Sequence, residues 1–149
     1  MDNTVELAIK RLAGECSKRE HCSGDMIQKM RRWELTEEQQ AQVMEYLIDN
    51  HYIDDRRYAG IYIRDKMNFN RWGPKKIEYS LREKHVDRSI IQSLMDEIEM
   101  EEWVEVAKPL IESKRKTISA RTPYEARMKM MRFLAGRGFT MDIINECLE

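Results

Sequence analysis

Two basic segments contain the side chains of this sequence that are best suited to binding chemistry. Ten Lys or Arg and four acids lie between Arg56 and Arg88, and eight Lys or Arg and one acid, Glu125, lie between Lys114 and Arg137. Clustered positive charge attracts phosphates and acidic surfaces. Lys75 and Lys76 also fall in the first turn of a predicted helix, where a positive charge opposes the helix dipole. We therefore expect an anionic partner.

The candidate contact residues follow if both segments face one concave surface. They are Arg71, Trp72, Lys75, Lys76, Arg82, Lys129, Arg132 and Arg137. Trp72 is predicted to lie in a loop, where it could stack on a base. The alternative is that these charges are only solvated, or that they balance nearby acids such as Glu78 and Glu83.

No pattern in the sequence predicts catalysis or a metal site. Gly-rich phosphate loops, G-x-S-x-G and H-E-x-x-H are all missing, and Cys16, Cys22 and Cys147 form no CxxC pair. These cysteines are expected to be reduced thiols, and their role stays open. Asp54 and Asp55 are adjacent and start a predicted helix, which favours capping over paired catalysis. We therefore expect that the protein is not an enzyme and that it binds neither a cofactor nor a metal ion.

Helices must position the basic residues, because their apolar residues recur at helical spacing. Asp54 begins a helix that is predicted to run to about Phe69, and Pro74 after Gly73 begins the next one. The residues that define this central structural motif are Asp54, Asp55, Tyr58, Ala59, Gly73, Pro74, Ile77 and Leu81.

This three-helix pattern occurs three times. Met26 and Met30 align with Ile77 and Leu81 at an offset of 51 residues, and Leu134 aligns with Leu81 at an offset of 53. The pattern predicts an all-α protein of three tandem three-helix repeats, residues 1–51, 52–98 and 99–149, in an elongated, curved array of right-handed type with a core shared between neighbours. The residues predicted to be buried are Ala8, Leu12, Met30, Ala59, Ile63, Leu81, Ala107, Ile111 and Leu134. Pro109 should kink or restart its helix, since an internal Pro costs about 3 kcal/mol.

Bulk composition agrees with an elongated protein. Charged residues are 36% of the 149 residues, against about a quarter in an average globular protein. The net charge is only −1, so we expect at most weak independent binding to single- or double-stranded DNA. No apolar run is long enough to cross a membrane, and the N-terminus does not look like a signal peptide. We expect a cytoplasmic monomer that does not contact membranes.

The central motif resembles the signature of the RecX family, bacterial regulators of the RecA recombinase. The resemblance rests on the run from Tyr52 to Ala59, on Gly73, Pro74, Lys75, Lys76, Ile77 and Leu81, on Asp25, Met26 and Lys29, and on the run from Arg132 to Phe139. It covers almost the whole chain. The resemblance implies three tandem three-helix repeats and a non-enzymatic protein that lodges in the groove of RecA filaments on DNA. There it would inhibit recombinase, ATPase and coprotease activities in DNA repair and the SOS response.

Two functions from other classes remain open. The chain could be a DNA-binding helical module that acts without RecA, or a helical scaffold for another protein. The steepness of salt dependence separates them, because phosphate contacts make affinity fall with salt far more than a mainly protein interface does.

Overall fold

The computed structural model describes residues 2–149, and over this range the chain contains helices and no strand. Nine α-helices and one π-helical turn follow one another: α1 (Asn3–Cys16), α2 (Ser23–Arg32), α3 (Glu37–Asp49), α4 (Asp55–Asp65), the π-turn (Lys66–Asn70), α5 (Pro74–Glu83), α6 (Arg88–Asp96), α7 (Met100–Arg115), α8 (Pro123–Gly136) and α9 (Met141–Leu148). We call α1–α3, α4–α6 and α7–α9 repeats 1, 2 and 3. The all-α repeat fold is confirmed, while the repeat limits, the curvature and the hand stay predictions.

Side-chain caps start the helices where the sequence predicts them. The Asp54 carboxylate accepts a hydrogen bond from the Arg57 N–H at 3.0 Å. Thr36 and Gln39 form a reciprocal capping box, with distances of 2.9 and 3.1 Å. Pro74 occupies the first turn of α5, where its missing N–H costs nothing.

The second helix of each repeat ends in the same way. The residue that follows its last turn has a positive φ: 59° at Glu34, 62° at His85 and 97° at Gly138. Such a left-handed residue ends a helix by turning the backbone back on its final carbonyls. The repeat is therefore present in the backbone as well as in the apolar pattern.

The predicted core residues are all buried, at 8% exposure or less. The prediction of one core shared by all neighbours is wrong for repeat 1. Repeats 2 and 3 share a continuous cluster that includes Leu81, Ala107 and Leu134. Repeat 1 buries its own cluster, including Leu12 and Leu47. Within repeat 1, α1 and α2 both pack against α3, and the three helices enclose an apolar cluster of their own.

Polar contacts join repeat 1 to repeat 2. The Asp55 carboxylate accepts from the Ser23 N–H at 2.8 Å, and Arg57 Nε donates to the Glu20 carboxylate at 2.9 Å. Asp55 thus ties the start of α4 to the start of α2. Both motif aspartates bond backbone N–H groups, which is a structural use of their charge.

Helix α7 continues through Pro109, so a restart there is wrong, while the alternative of a kink stays a prediction. A proline at this position deprives the carbonyl of Glu105, four residues earlier, of its helical donor. The Arg71 guanidinium lies 3.5 Å from that oxygen and supplies a long hydrogen bond in place of the missing one. The carbonyl is therefore not left without a partner.

The molecule is elongated. Its accessible surface is 9622 Å², whereas a compact monomer of 17.9 kDa is expected to expose about 8000 Å². Among the described residues, none of the helices combines the length and the hydropathy that crossing a bilayer requires.

Candidate partner-binding surface

The second helices of the three repeats lie head to tail. The Gly73 N–H donates to the Arg137 carbonyl at 2.8 Å, and the Lys75 N–H donates to the Gly138 carbonyl at 2.9 Å. The start of α5 therefore abuts the turn that ends α8. In the same way, the Cys22 thiol at the start of α2 donates to the carbonyl of Lys84 at the end of α5, at 3.7 Å. The row runs α8, α5, α2.

Two glycines permit the contact between α5 and α8. A Cβ on Gly73 would lie 2.4 Å from backbone atoms of Gly138 and Phe139, and a Cβ on Gly138 would lie 2.5 Å from Cβ of Lys76. Neither approach is possible for a larger residue without movement. The Gly73–Pro74 pair of the motif thus serves both to start α5 and to bring its backbone against α8.

The contact places cations around Trp72. The ammonium groups of Lys66 and Lys76 lie 4.9 and 4.8 Å from the centroid of its indole ring. Trp72 is only half-exposed and packs against the core of repeats 2 and 3. Stacking on a base, as the sequence suggested, would have to compete with these two ammonium groups.

A second cation–aromatic group lies at the same junction. Lys114 Nζ and the Arg137 guanidinium lie 4.9 and 5.5 Å from the centroid of Phe133. We call Lys66, Lys76, Lys114 and Arg137 the junction cations. Among the described residues, none of them lies within 4.0 Å of a carboxylate oxygen. Their charge is therefore available to an external anion.

Lys75 and Arg82 extend the positive surface along α5. With Tyr79, which is 59% exposed, they occupy positions i, i+4 and i+7, so all three share one outward face. Neither cation forms an ion pair with Glu78 or Glu83, and within residues 2–149 no ion pair involves Arg132 on α8. The simple explanation that these charges balance neighbouring acids is therefore not realised in the structure.

The structure uses two of the predicted contact residues internally. Arg71 bonds the Glu105 carbonyl. Lys129 bonds the Ser119 carbonyl and lies 3.4 Å from the Glu125 carboxylate. The Arg121 backbone N–H, with Lys129 second, keeps the pKa of Glu125 below its usual value. Lys129 therefore already has an internal carboxylate partner and is a weaker candidate for contact with an external anion.

Sequence reasoning missed Lys66 and Lys114. Lys66 follows Tyr62 by four residues, and Lys114 lies inside the basic segment, so both carried a signal. What the sequence lacked was the contact between α5 and α8, which brings the two cation–aromatic groups together.

The cysteines and the potential metal ligands are the other side chains that could carry chemistry, and their arrangement is that of structural residues. The three cysteines are free, and burial raises the pKa of Cys22 to about 11. Within residues 2–149 no group of three or more His, Cys, Asp or Glu is arranged to hold a metal ion.

The fold and this surface define a class: an elongated protein of tandem three-helix repeats with a positively charged junction between repeats 2 and 3. Family models for the second and third three-helix domains of RecX match residues 54–95 and 101–148. The chain belongs to the RecX family.

Relatives and solved structures agree with this assignment. Proteins called "Regulatory protein RecX" from Bacillus cereus (strain AH820) and Bacillus anthracis (strain A0248) are each 34% identical over 109 residues, which is 73% of this chain. The matched region is 40% of the length of those relatives. The crystal structure of RecX from Lactobacillus salivarius has a TM-score of 0.90 at 24% identity and covers 97% of this chain and 94% of its own. A second regulatory protein RecX has a TM-score of 0.87 at 23% identity, covering 96% and 72%. At these identities the two structures establish the fold.

Proposed function

We infer that this chain is a non-catalytic regulator that binds RecA nucleoprotein filaments in the cytoplasm and inhibits their recombinase, ATPase and coprotease activities. Membership of the RecX family is the observation that carries this proposal. The name of the relatives supports a regulatory role and no particular reaction. The chain acts as a monomer in this proposal, with its repeats spread along the filament.

The positive surface supports a contact with an anionic groove. The junction cations have no acidic partner in the part of the chain that the structure describes, and Lys75, Arg82 and Arg132 are exposed beside them. A nucleoprotein filament offers phosphates and acidic side chains in a repeating array. An elongated row of helices can meet several of these anions at once.

The test is the DNA-dependent ATPase of the cognate RecA on single-stranded DNA. Substoichiometric amounts of this protein should slow hydrolysis, and the protein alone should hydrolyse nothing. A folded sample that fails to inhibit at any ratio would contradict the proposal.

The Lys75→Ala/Lys76→Ala variant tests the surface. Each cation that neutralises a phosphate adds about 0.7 to 0.9 to the slope of log affinity against log salt. The double variant should therefore bind filaments more weakly, with a slope smaller by about 1.5 and with unchanged helicity. The matched control is Arg31→Ala/Arg32→Ala, which removes two exposed cations from repeat 1. If the two variants weaken binding equally, the α5–α8 junction is not part of the interface.

The same salt series addresses the two other functions. Equal affinity and slope on DNA with and without RecA would favour a DNA-binding module. A shallow slope for filaments, untouched by the double variant, would favour a scaffold that recognises protein alone.

A further inference from the structure

The junction between repeats 1 and 2 differs from the junction between repeats 2 and 3. Within residues 2–149, the most extensive helix packing of repeat 1 is internal, with α1 and α2 both against α3. Repeat 3, by contrast, packs α7 against the π-turn of repeat 2 and shares its apolar cluster. Because repeat 1 completes a core of its own, it can move away from repeat 2 without losing that core.

Two ion pairs hold repeat 1 against repeat 2. Arg57 Nε lies 2.9 Å from the Glu20 carboxylate, and Lys84 Nζ lies 3.9 Å from the Asp25 carboxylate. The four side chains are between 26% and 38% exposed, so each pair contributes little and is weakened by salt. Glu20 Oε2 is also buried without a hydrogen-bond partner among the described residues, which disfavours the closed arrangement. The junction is therefore held weakly.

The backbone around Asp54 is the place where repeat 1 can pivot. Ile53 is buried in the core of repeat 1, and α4 of repeat 2 begins at Asp55. A hinge needs only a few residues at the end of an element to absorb the change in φ and ψ. The Arg57 guanidinium crosses this point, because it donates to the Tyr52 carbonyl at 3.4 Å. The same side chain thus holds both Glu20 and the connecting segment.

Cys22 is the residue of repeat 1 that reaches furthest into the rest of the molecule. It is fully buried in the apolar cluster of repeats 2 and 3, and its thiol donates to the Lys84 carbonyl at 3.7 Å. Gly24 lies against the same carbonyl, whose oxygen a Cβ at that position would overlap. Movement of repeat 1 away from α5 would therefore expose the Cys22 thiol while leaving both cores folded.

We propose that repeat 1 turns as a rigid unit about Asp54. In the closed state it is fastened by Arg57–Glu20 and Lys84–Asp25, and in the open state Cys22 is exposed to solvent. Salt favours the open state because it screens both ion pairs. The opening divides the row of second helices between α5 and α2, so it changes the direction in which α2 continues the row. The device belongs to the chain alone and is tested without a partner.

The first experiment measures the opening through the reaction of Cys22 with dithiobis(nitrobenzoate). The other two thiols are removed by Cys16→Ser and Cys147→Ser, and each rate is divided by that of the urea-unfolded chain at the same salt concentration. The reaction should depend on urea far less than global unfolding does, because opening exposes little surface. It should also accelerate as salt rises from about 0.05 M to about 0.5 M. Reaction only through global unfolding, or a rate that salt does not change, overturns the proposal.

The second experiment removes the two ion pairs. Arg57→Gln/Lys84→Gln should accelerate the reaction of Cys22 by about 2- to 30-fold and should abolish its dependence on salt. Arg56→Gln/Arg64→Gln is the matched control, since it removes two cations from ion pairs outside this junction, and it should react like the parent chain. Equal rates in the two variants would show that the ion pairs do not hold repeat 1 closed.

The third experiment forces the junction apart. Gly24→Ala adds a methyl group against the Lys84 carbonyl and should accelerate the reaction of Cys22 by about 5- to 150-fold, although Ala favours the helix itself. Gly14→Ala on α1 is the matched control, because its Cβ would meet nothing within 4 Å, and its rate should not change. If Gly24→Ala reacts no faster than Gly14→Ala, repeat 1 does not close against α5 in solution and the proposal fails.

Discussion

Replacing Gly138 by Ala should destabilise the protein by about 3 kcal/mol, because its backbone conformation and its surroundings both exclude a side chain. The φ of Gly138 is 97°, and an added Cβ would lie 2.5 Å from Cβ and 2.7 Å from N of Lys76. A side chain in such a sparsely populated conformation costs about 1 to 3 kcal/mol. Relief of the clash would also weaken the hydrogen bonds donated by Gly73 and Lys75, each worth about 1 kcal/mol.

Gly136 provides the matched control two residues earlier. It lies in the last turn of α8, and a Cβ there would meet nothing within 4 Å. Ala is favoured over Gly in a helix, and it also restricts the unfolded chain. Gly136→Ala should therefore stabilise the protein by about 0.4 to 1 kcal/mol.

Thermal unfolding followed by circular dichroism measures the stability of both variants. For a chain of this size 1 kcal/mol corresponds to about 2 to 4 °C in the melting temperature. Gly138→Ala should therefore melt about 6 to 12 °C lower than the wild type, and Gly136→Ala slightly higher. If the chain inhibits RecA as proposed, Gly138→Ala should also inhibit it less at a temperature where the variant is folded, because relief of the clash displaces Lys76. If Gly138→Ala is as stable as the wild type, the close contact between α5 and α8 does not exist in solution.

Two further predictions concern the core. Leu81→Ala should lower the free energy of unfolding by about 2 to 5 kcal/mol, because Leu81 is fully buried in the core of repeats 2 and 3; an unchanged urea midpoint would contradict the burial. Burial raises the pKa of the Cys22 thiol from 9.0 to about 11, so the folded state holds this proton more tightly than the unfolded state. The resulting stability is present below pH 9 and is lost as the pH rises to about 11. Cys22→Ala should reduce the loss of melting temperature across that pH range. A variant whose melting temperature depends on pH as the wild type does would contradict the role of Cys22.

Local features of the fold could be predicted from the sequence because each depends on residues a few positions apart. The cap at Asp54 and the box formed by Thr36 and Gln39 require only the first turn of a helix. The stripe that contains Leu81 and Leu134 requires only helical periodicity. Together with the offsets of 51 and 53 residues, these signals are enough for nine helices in three repeats.

Contacts between distant segments could not be predicted in this way. The junction cations converge because the Gly73 N–H reaches the Arg137 carbonyl, 64 positions away. Nothing near Lys66 in the sequence indicates that Lys76 will share the ring of Trp72. At Pro109, the rule for helix interiors was right about the lost bond. It did not anticipate that the helix would continue through Pro109 or that the Arg71 guanidinium would lie near the Glu105 carbonyl.

The different contacts between repeats explain where an anionic partner should bind. Repeats 2 and 3 share a core, so the cations of α5 and α8 are held in a fixed arrangement by one apolar cluster. Repeat 1 has its own core and meets repeat 2 through polar contacts such as Ser23–Asp55 and through Cys22, which is buried in the core of repeats 2 and 3. It also has ten acids and seven basic residues over positions 1–51, whereas positions 52–98 have eight acids and ten basic residues. An extended anion that follows the row of second helices is therefore attracted to α8 and α5 and gains less from α2. This difference makes the paired cations of α2 suitable controls, because they lie on the same row but outside the positively charged body.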